Sequence, residues 1–330
     1  MNTIIVSVII VVRNEQKYIL ECIKSVERQF LGGKLPWELL IVDGESEDKT
    51  RSLCEKYLQS VSYNWVILDN PKRTLAPGWN IGIKNASGVY VIRPDAHSTL
   101  SSGYIQRGIN TLERMQDIVA VGGGLETKAK NYWGDIIKEA LSSKVGVGNS
   151  SFRTGESSGY VDTAVYGVYR RSVFDDVGYF NEELVRHQDN DMHQRLKSAG
   201  WKFYMNADMH ADYYCRDTIS SLFNQMYKIG RYLPDVMNSG ALSLRHFAPF
   251  IFYSFIFILM LVGAVSGASV FILGGTILFL SYLIVIGISA CLSVFINRKF
   301  QYIYLLGIIP GMHINYAIGT MFGLFKKVIK

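Results

Sequence analysis

Residues 4–12 (IIVSVIIVV) are apolar at odd and even positions alike, which predicts a central strand covered on both faces. Helical spacing follows over 15–29 through Ile19, Cys22, Ile23 and Val26. A second buried strand at 37–42 ends in Asp43-Gly44, and Ser46 opens a helix over 47–59 with Asp48 in its first turn. A strand at 63–68, a helix over 75–86 and a strand at 89–93 continue the alternation. Such alternation predicts an α/β fold with a parallel, doubly wound sheet, whose ligands bind beyond the carboxyl ends of the strands. Further along, the pattern predicts a helix over 101–116, a strand at 118–124 and a mobile Gly/Ser-rich loop at 142–160. A strand at 161–169, a helix over 189–199 and an amphipathic helix over 217–233 follow.

Three apolar segments close the chain, at about 247–266, 270–296 and 302–324. Crossing the hydrocarbon core takes about 20 apolar residues, and the first two segments qualify. The third contains Pro310, His313 and Asn315, and it spans, kinks or re-enters. The expected organisation is a strand-and-helix domain over 1–235, a linker at 236–246 and a membrane domain over 247–330.

Charge sharpens this division. All 28 carboxylates lie at or before Asp235, and Arg298, Lys299, Lys326, Lys327 and Lys330 are the only charges from residue 247 onward. The net charge of +6 therefore belongs mostly to the apolar tail, and a nucleic-acid partner is not expected. With a cytoplasmic N-terminal domain, Arg298 and Lys299 fall inside, as the positive-inside rule asks. A third crossing would put the last three lysines outside. Cys22, Cys54, Cys215 and Cys291 form no CxxC pair, which argues against a zinc ribbon or a disulfide framework. The N-terminal apolar run lacks a basic leader and a cleavage site, so a strand is the better reading than a signal peptide.

Polar groups recur at the predicted strand ends: VVRNE (11–15), VDGESEDKT (42–50), NPKRT (70–74) and DAH (95–97), with HQDND (187–191) opening a later helix. In this order the motifs resemble those of glycosyltransferase family 2 proteins with the GT-A fold, over roughly residues 4–235. DAH in place of D-x-D, together with NPKRT and VDTAVYGVYRRSVF (161–174), is similar to the succinoglycan-type exopolysaccharide glycosyltransferases.

The residues support roles of their own. Glu15 and Asp43, with Asn14 beside them, can accept hydrogen bonds from a nucleotide base or ribose; the competing reading of Asp43 is a turn or helix cap. Arg73 can pair with a diphosphate or remain a solvated loop cation. Asp95 and His97 flank one residue, so on an extended chain both project to one side. The resemblance implies that this pair serves the ribose and a divalent metal, Mn²⁺ or Mg²⁺. Imidazole suits a transition ion, whereas Mg²⁺ prefers oxygen. It also implies that Asp189 is the general base, although Gln188 stands where the family has Glu. Asp189 and Asp191 could equally stabilise a helix N-terminus. Gln225 and Arg231 are candidates for acceptor or diphosphate contact, against a snorkelling role for Arg231. Asp162 is an acceptor candidate or a buried structural carboxylate.

The resemblance implies an inverting, metal-dependent hexosyltransferase. It would carry sugar from a nucleotide donor, most naturally a UDP-sugar, to a lipid-linked saccharide in exopolysaccharide or surface-glycan synthesis. The expected location is the inner cell membrane, multi-pass, with a cytoplasmic catalytic domain. Two alternatives stay open: a polyprenyl-phosphate sugar synthase, and a non-catalytic membrane assembly protein on a transferase fold.

Overall fold

A computed structural model describes residues 4–33, 35–148, 157–240, 242 and 244–329. The first elements alternate: β1 (Val6–Val12), α1 (Ile19–Glu27), β2 (Trp37–Asp43), α2 (Thr50–Leu58), β3 (Asn64–Asp69), α3 (Leu75–Asn85) and β4 (Tyr90–Ile92). Then come β5 (Ser98–Leu100), α4 (Tyr104–Arg114), β6 (Ile118–Lys128), α5 (Tyr132–Ser142), α6 (Lys144–Val147), β7 (Gly159–Val161) and β8 (Val168–Arg170). The remainder is α7 (Val173–Val177), α8 (Gln188–Ser198), β9 (Lys202–Tyr214), α9 (Ile219–Tyr232), α10 (Ala248–Ser266), α11 (Ser269–Asn297) and α12 (Leu305–Ile329). The chain divides into two compact units, Met1–Glu126 with Ser151–Tyr214 and Thr127–Ser150 with Cys215–Lys330. Compactness thus groups 127–150 and 215–235 with the apolar helices, where a linear division had been expected.

In the first unit the described strands form one sheet in the order β3-β2-β1-β4-β8-β6-β9-β5, with β7 on β9. β1, β2, β3 and β4 pair in parallel, as the alternation predicts. β4 with β8, β6 with β8, β5 with β9 and β7 with β9 are antiparallel. The sheet is therefore mixed, a correction to the mostly parallel expectation. Hydrophobic periodicity identifies strands but carries no sign for their direction. The two-sided burial of β1 is as read. Val6, Val8, Ile10 and Val12 join one core layer with Cys22, Ile23 and Tyr104, and Ile9 joins the other with Trp79, Tyr169 and Phe174.

Other boundaries moved for local reasons. Asp48 takes over the start of α2, accepting the Thr50 N–H at 2.9 Å, because Ser46 is engaged with Asp43. The predicted strand at 161–169 is two short strands, broken where Tyr166 enters the left-handed region at φ 46. The predicted loop at 142–160 contains α6, and its residues 149–156 lie outside the described set. β9 is a strand that the sequence reading passed over. Its buried positions alternate at Phe203, Met205, Met209, Ala211 and Tyr213, but Asn206, Asp208, His210 and Asp212 dilute the signal.

In the second unit, α10, α11 and the stretch Phe300–Ile329 are each long and apolar enough to cross a membrane. α12 continues through Pro310, which costs one backbone hydrogen bond without ending the helix. α5 is fixed by its polar side chains. Asp135 accepts from Lys299 (2.8 Å), Gln301 (2.7 Å) and Tyr302 (3.0 Å), and Glu139 accepts from Ser293 (2.6 Å).

α3 lies close on β1. A Cβ at Gly82 would meet Ile9 Cγ2 at 2.3 Å, on a branched side chain with no room to swing away. Gly82→Ala gains about 1 kcal/mol in helix propensity but overpacks the layer at a cost of about 1–3 kcal/mol. The expected net is a lower melting temperature, read by thermal unfolding of the detergent-purified protein.

Candidate active site

The carboxyl ends of β1, β2 and β3 are tied together by backbone. Gly44 N–H donates to the Val12 carbonyl at 2.8 Å, and Asn70 N–H donates to the Asp43 carbonyl at 2.8 Å. A Cβ at Gly44 would touch Arg13 Cβ and Arg73 Cα within 3.5 Å, so three loops meet at this residue. Asn14, at φ 58, accepts the Glu47 N–H on Oδ1 at 2.8 Å, and its own N–H donates to Ser46 Oγ at 3.0 Å. Ser46 Oγ–H in turn donates to Asp43 Oδ1 at 2.6 Å. Asp43 is buried, with Arg51 3.6 Å from Oδ2. Its turn role is therefore realised in the structure. Arg73, also left-handed at φ 58, forms an ion pair with Glu45 across this junction.

Asp95 and His97 follow β4. Asp95 Oδ2 accepts the Tyr166 hydroxyl at 3.0 Å, and burial pushes that phenol well above its ordinary pKa. His97 Nδ1 lies 3.2 Å from Glu15 Oε1, which brings the ends of β1 and β4 together. Tyr18 and Tyr213 flank the imidazole with ring centroids at 6.5 and 5.4 Å. Among the described residues no group of three His, Cys, Asp or Glu side chains is arranged to hold a metal. Asp95 and His97 offer one oxygen and one nitrogen donor, types that a divalent transition ion accepts.

Asp189 sits in the first turn of α8, and its Oδ1 accepts from Arg93 Nη2 at 3.0 Å. The carboxylate is 44% exposed, whereas Arg93 is 6% exposed. The guanidinium carbon lies 3.9 Å from the centroid of Trp79 and 4.4 Å from that of Phe180. Burial alone would lower the Arg93 pKa, but the Asp189 carboxylate and the Tyr169 hydroxyl together outweigh it and the net shift is upward. Asp191 is different. It is buried and bound to Arg195 at 3.1 Å, and Arg195 also donates to the Val177 and Tyr179 carbonyls. Asp191 is thus a structural anchor of the α8 start.

Asp162 is 76% exposed and 3.7 Å from Lys197, which corrects the buried-carboxylate reading. Gln225 and Arg231 lie on α9 in the second unit, where Arg231 Nη1 donates to the Phe322 carbonyl at 3.0 Å. Sequence reasoning missed Arg93, Tyr166, Tyr169 and His193. The one available signal was a cation, Arg93, ending an apolar strand two residues before Asp95.

The family model described as "Glycosyl transferase family 2" matches residues 7–178. The chain belongs to glycosyl transferase family 2. As a member, it is a glycosyltransferase. It is 27% identical over 331 residues to the dolichyl N-acetyl-alpha-D-glucosaminyl phosphate 3-beta-D-2,3-diacetamido-2,3-dideoxy-beta-D-glucuronosyltransferase of Methanococcus voltae, covering 98% of this chain and 97% of that one. Succinoglycan biosynthesis protein ExoA of Rhizobium meliloti is 30% identical over 58% of each chain. Among solved structures, the mannosyltransferase PcManGT of Pyrobaculum calidifontis, bound to GDP-Man and Mn²⁺, aligns with TM-score 0.64 at 14% identity over 98% of this chain and 87% of that one. S. aureus TarS with UDP aligns with TM-score 0.52 at 18% identity, covering 98% of this chain and 92% of that one. At these identities the structural likeness shows the fold, a mixed α/β domain of GT-A type.

Behind Asp189, a buried glycosyltransferase core network has a pH signature. His193 is bound by Thr163 at Nδ1 (2.7 Å) and by Tyr169 at Nε2 (2.6 Å), and burial pushes its pKa from 6.5 down to about 4. The unfolded chain takes up this proton first, so the stability it contributes is present above pH 6.5 and is lost as pH falls through about 4. The expected loss is on the order of 3 kcal/mol. Unfolding measured across that window should show it, and His193→Gln should flatten the dependence.

Proposed function

We propose that this glycosyltransferase is an inverting, metal-dependent enzyme that transfers a sugar from a nucleoside-diphosphate sugar to a hydroxyl of a lipid-linked saccharide. The observation that carries the reading is the asymmetric setting of Asp189. A buried arginine fixes one oxygen, while the side chain as a whole stays open to solvent. A general base needs this combination of fixed orientation and access. The acceptor hydroxyl gives its proton to Asp189 as its oxygen attacks the anomeric carbon. The bond from that carbon to the diphosphate oxygen breaks, and the nucleoside diphosphate leaves with the electron pair. One displacement inverts the configuration.

In this reading Asn14, Glu15, Asp43 and Arg73 line the donor side, and Asp95 contributes there as well. Asp95 and His97 would hold a divalent ion, Mn²⁺ or Mg²⁺, that supplies charge compensation at the leaving diphosphate. The solved relatives bound to UDP, to GDP-Man and to Mn²⁺ support a nucleotide donor and a metal; we take a UDP-sugar as the donor. The full-length Methanococcus relative, whose name specifies a dolichyl-linked sugar phosphate, supports the lipid-linked acceptor. Asp162, Gln225 and Arg231 are assigned to the acceptor or diphosphate side. The apolar helices support a multi-pass protein of the inner membrane with its catalytic unit in the cytoplasm, where nucleotide sugars are made.

Two measurements test this. Asp189→Asn should lower transfer to a polyprenyl-diphosphate glycan by about 10²–10⁴-fold while leaving nucleotide-sugar binding intact. Full retention of activity would instead favour a bare lipid phosphate as acceptor, since a phosphate needs no base, and transfer only to soluble sugars would overturn the lipid-linked assignment. In a thermal-shift series, Mn²⁺ should add to the stabilisation given by UDP-sugar. That increment should disappear on chelation and in His97→Ala.

A further inference from the structure

The length and composition of α12 permit a third crossing, but its packing points elsewhere. α9 and α12 run side by side in the same direction, with their backbones almost touching. A Cβ on Gly311 would strike the Phe223 ring, one on Gly319 the Tyr227 carbonyl oxygen at 2.1 Å, and one on Gly323 the Arg231 carbonyl oxygen at 2.5 Å. From the other side, a Cβ on Gly230 would meet the Tyr316 carbonyl oxygen at 2.1 Å. Lys327 donates to the Pro234 carbonyl at 2.9 Å and extends the contact to the end of α12. Small residues at i and i+4, here Gly319 and Gly323, allow this approach.

This pairing fixes the depth of α9 to that of α12. Tyr227 lies opposite Gly319 and Arg231 opposite Gly319 and Gly323, all in the C-terminal half of α12. If α12 crossed the bilayer, Lys228 and Arg231 would be carried into the hydrocarbon beside that half, where charge is disfavoured. The exposed faces of the pair suggest a different placement. On α9, Ser220, Asn224 and Lys228 form an exposed polar stripe at i, i+4 and i+8. On α12, Ile314, Ile318, Met321, Phe322 and Phe325 are exposed and apolar. Together the two helices have one wet face and one greasy face, as a layer lying in a membrane surface does.

We infer that only α10 and α11 cross the membrane, and that α9 with α12 forms a layer seated in the lipid interface on the same side as the catalytic unit. The turn between α10 and α11, Gly267-Ala268, carries no charge. Two crossings return Arg298, Lys299, Lys326 and Lys327 to one side, and the positive-inside pattern closes without an exception. α11 has 29 residues, more than a crossing needs. Its last turns pair with the polar helix α5 through Ser293 and Glu139, which places them outside the hydrocarbon.

The test uses the full chain in sealed membrane vesicles and a membrane-impermeant maleimide, with Cys291 replaced by Ser. Lys17→Cys, on the exposed loop after β1, and Lys330→Cys should label from the same side and to the same extent. Asn224→Cys should also label from that side without detergent. Labelling of Lys17→Cys and Lys330→Cys from opposite sides would overturn the inference, as would an Asn224→Cys that labels only after solubilisation. Neither readout depends on transferase activity, so the topology can fail while the proposed reaction stands, and the reverse.

Discussion

A buried guanidinium without a counter-charge costs several kcal/mol, and much of the catalytic unit is arranged around meeting that demand for Arg93. Its Nη2 is neutralised by Asp189, which sets where α8 must begin. Its flat faces are covered by Trp79 from α3 and by Phe180 from the loop after α7. That loop is in turn held by Asn80, whose amide donates to the Phe180 carbonyl at 2.8 Å and accepts the Phe180 N–H at 2.9 Å. One cation at the end of β4 therefore links three separate stretches of chain. Cation–π contact and the ion pair act in the same direction here, because both favour the charged form in a dry setting.

Much of this architecture was legible in the sequence. The doubly apolar run of β1 announced a strand with two covered faces, and the motifs at 11–15, 42–50 and 95–97 marked the strand ends that meet around Gly44 and His97. What stayed hidden was long-range. Nothing local to Arg93 says that a residue 96 positions later will neutralise it. Nothing local to His193 says that Thr163 and Tyr169 will bind both its nitrogens. The direction of β8 and the existence of β9 were likewise obscured, the first because periodicity is blind to direction and the second because polar residues occupy the outward positions of a strand. Asp189 and Asp191 illustrate the same limit. They are two residues apart on one helix turn, and only the partner, Arg93 or Arg195, separates an open carboxylate from a structural one.

The apolar tail shows how composition can mislead about depth. α10, α11 and the stretch that contains α12 are all long and apolar enough to cross a membrane, yet of the three it is α12 that is packed backbone-to-backbone against a helix carrying lysine and arginine. Glycine at 230, 311, 319 and 323 makes that contact possible, and polar side chains along α5 fix the other end of the bundle through Lys299 and Ser293. A hydropathy window sees only the chain it slides along, whereas the neighbour decides what a helix brings with it into lipid.

The same unit is assembled from two stretches of sequence that are far apart. α5 and α6 leave the sheet after β6, and α5, with Ile136, Ile137, Ala140 and Leu141 buried, packs against α9 and the tail beyond residue 299. During synthesis this segment emerges roughly 80 to 160 residues before the stretches that shelter it, an interval of several seconds or more at ordinary ribosome speeds. Through that interval the apolar side of α5 has none of its eventual cover, so the second unit closes only once the tail has been made.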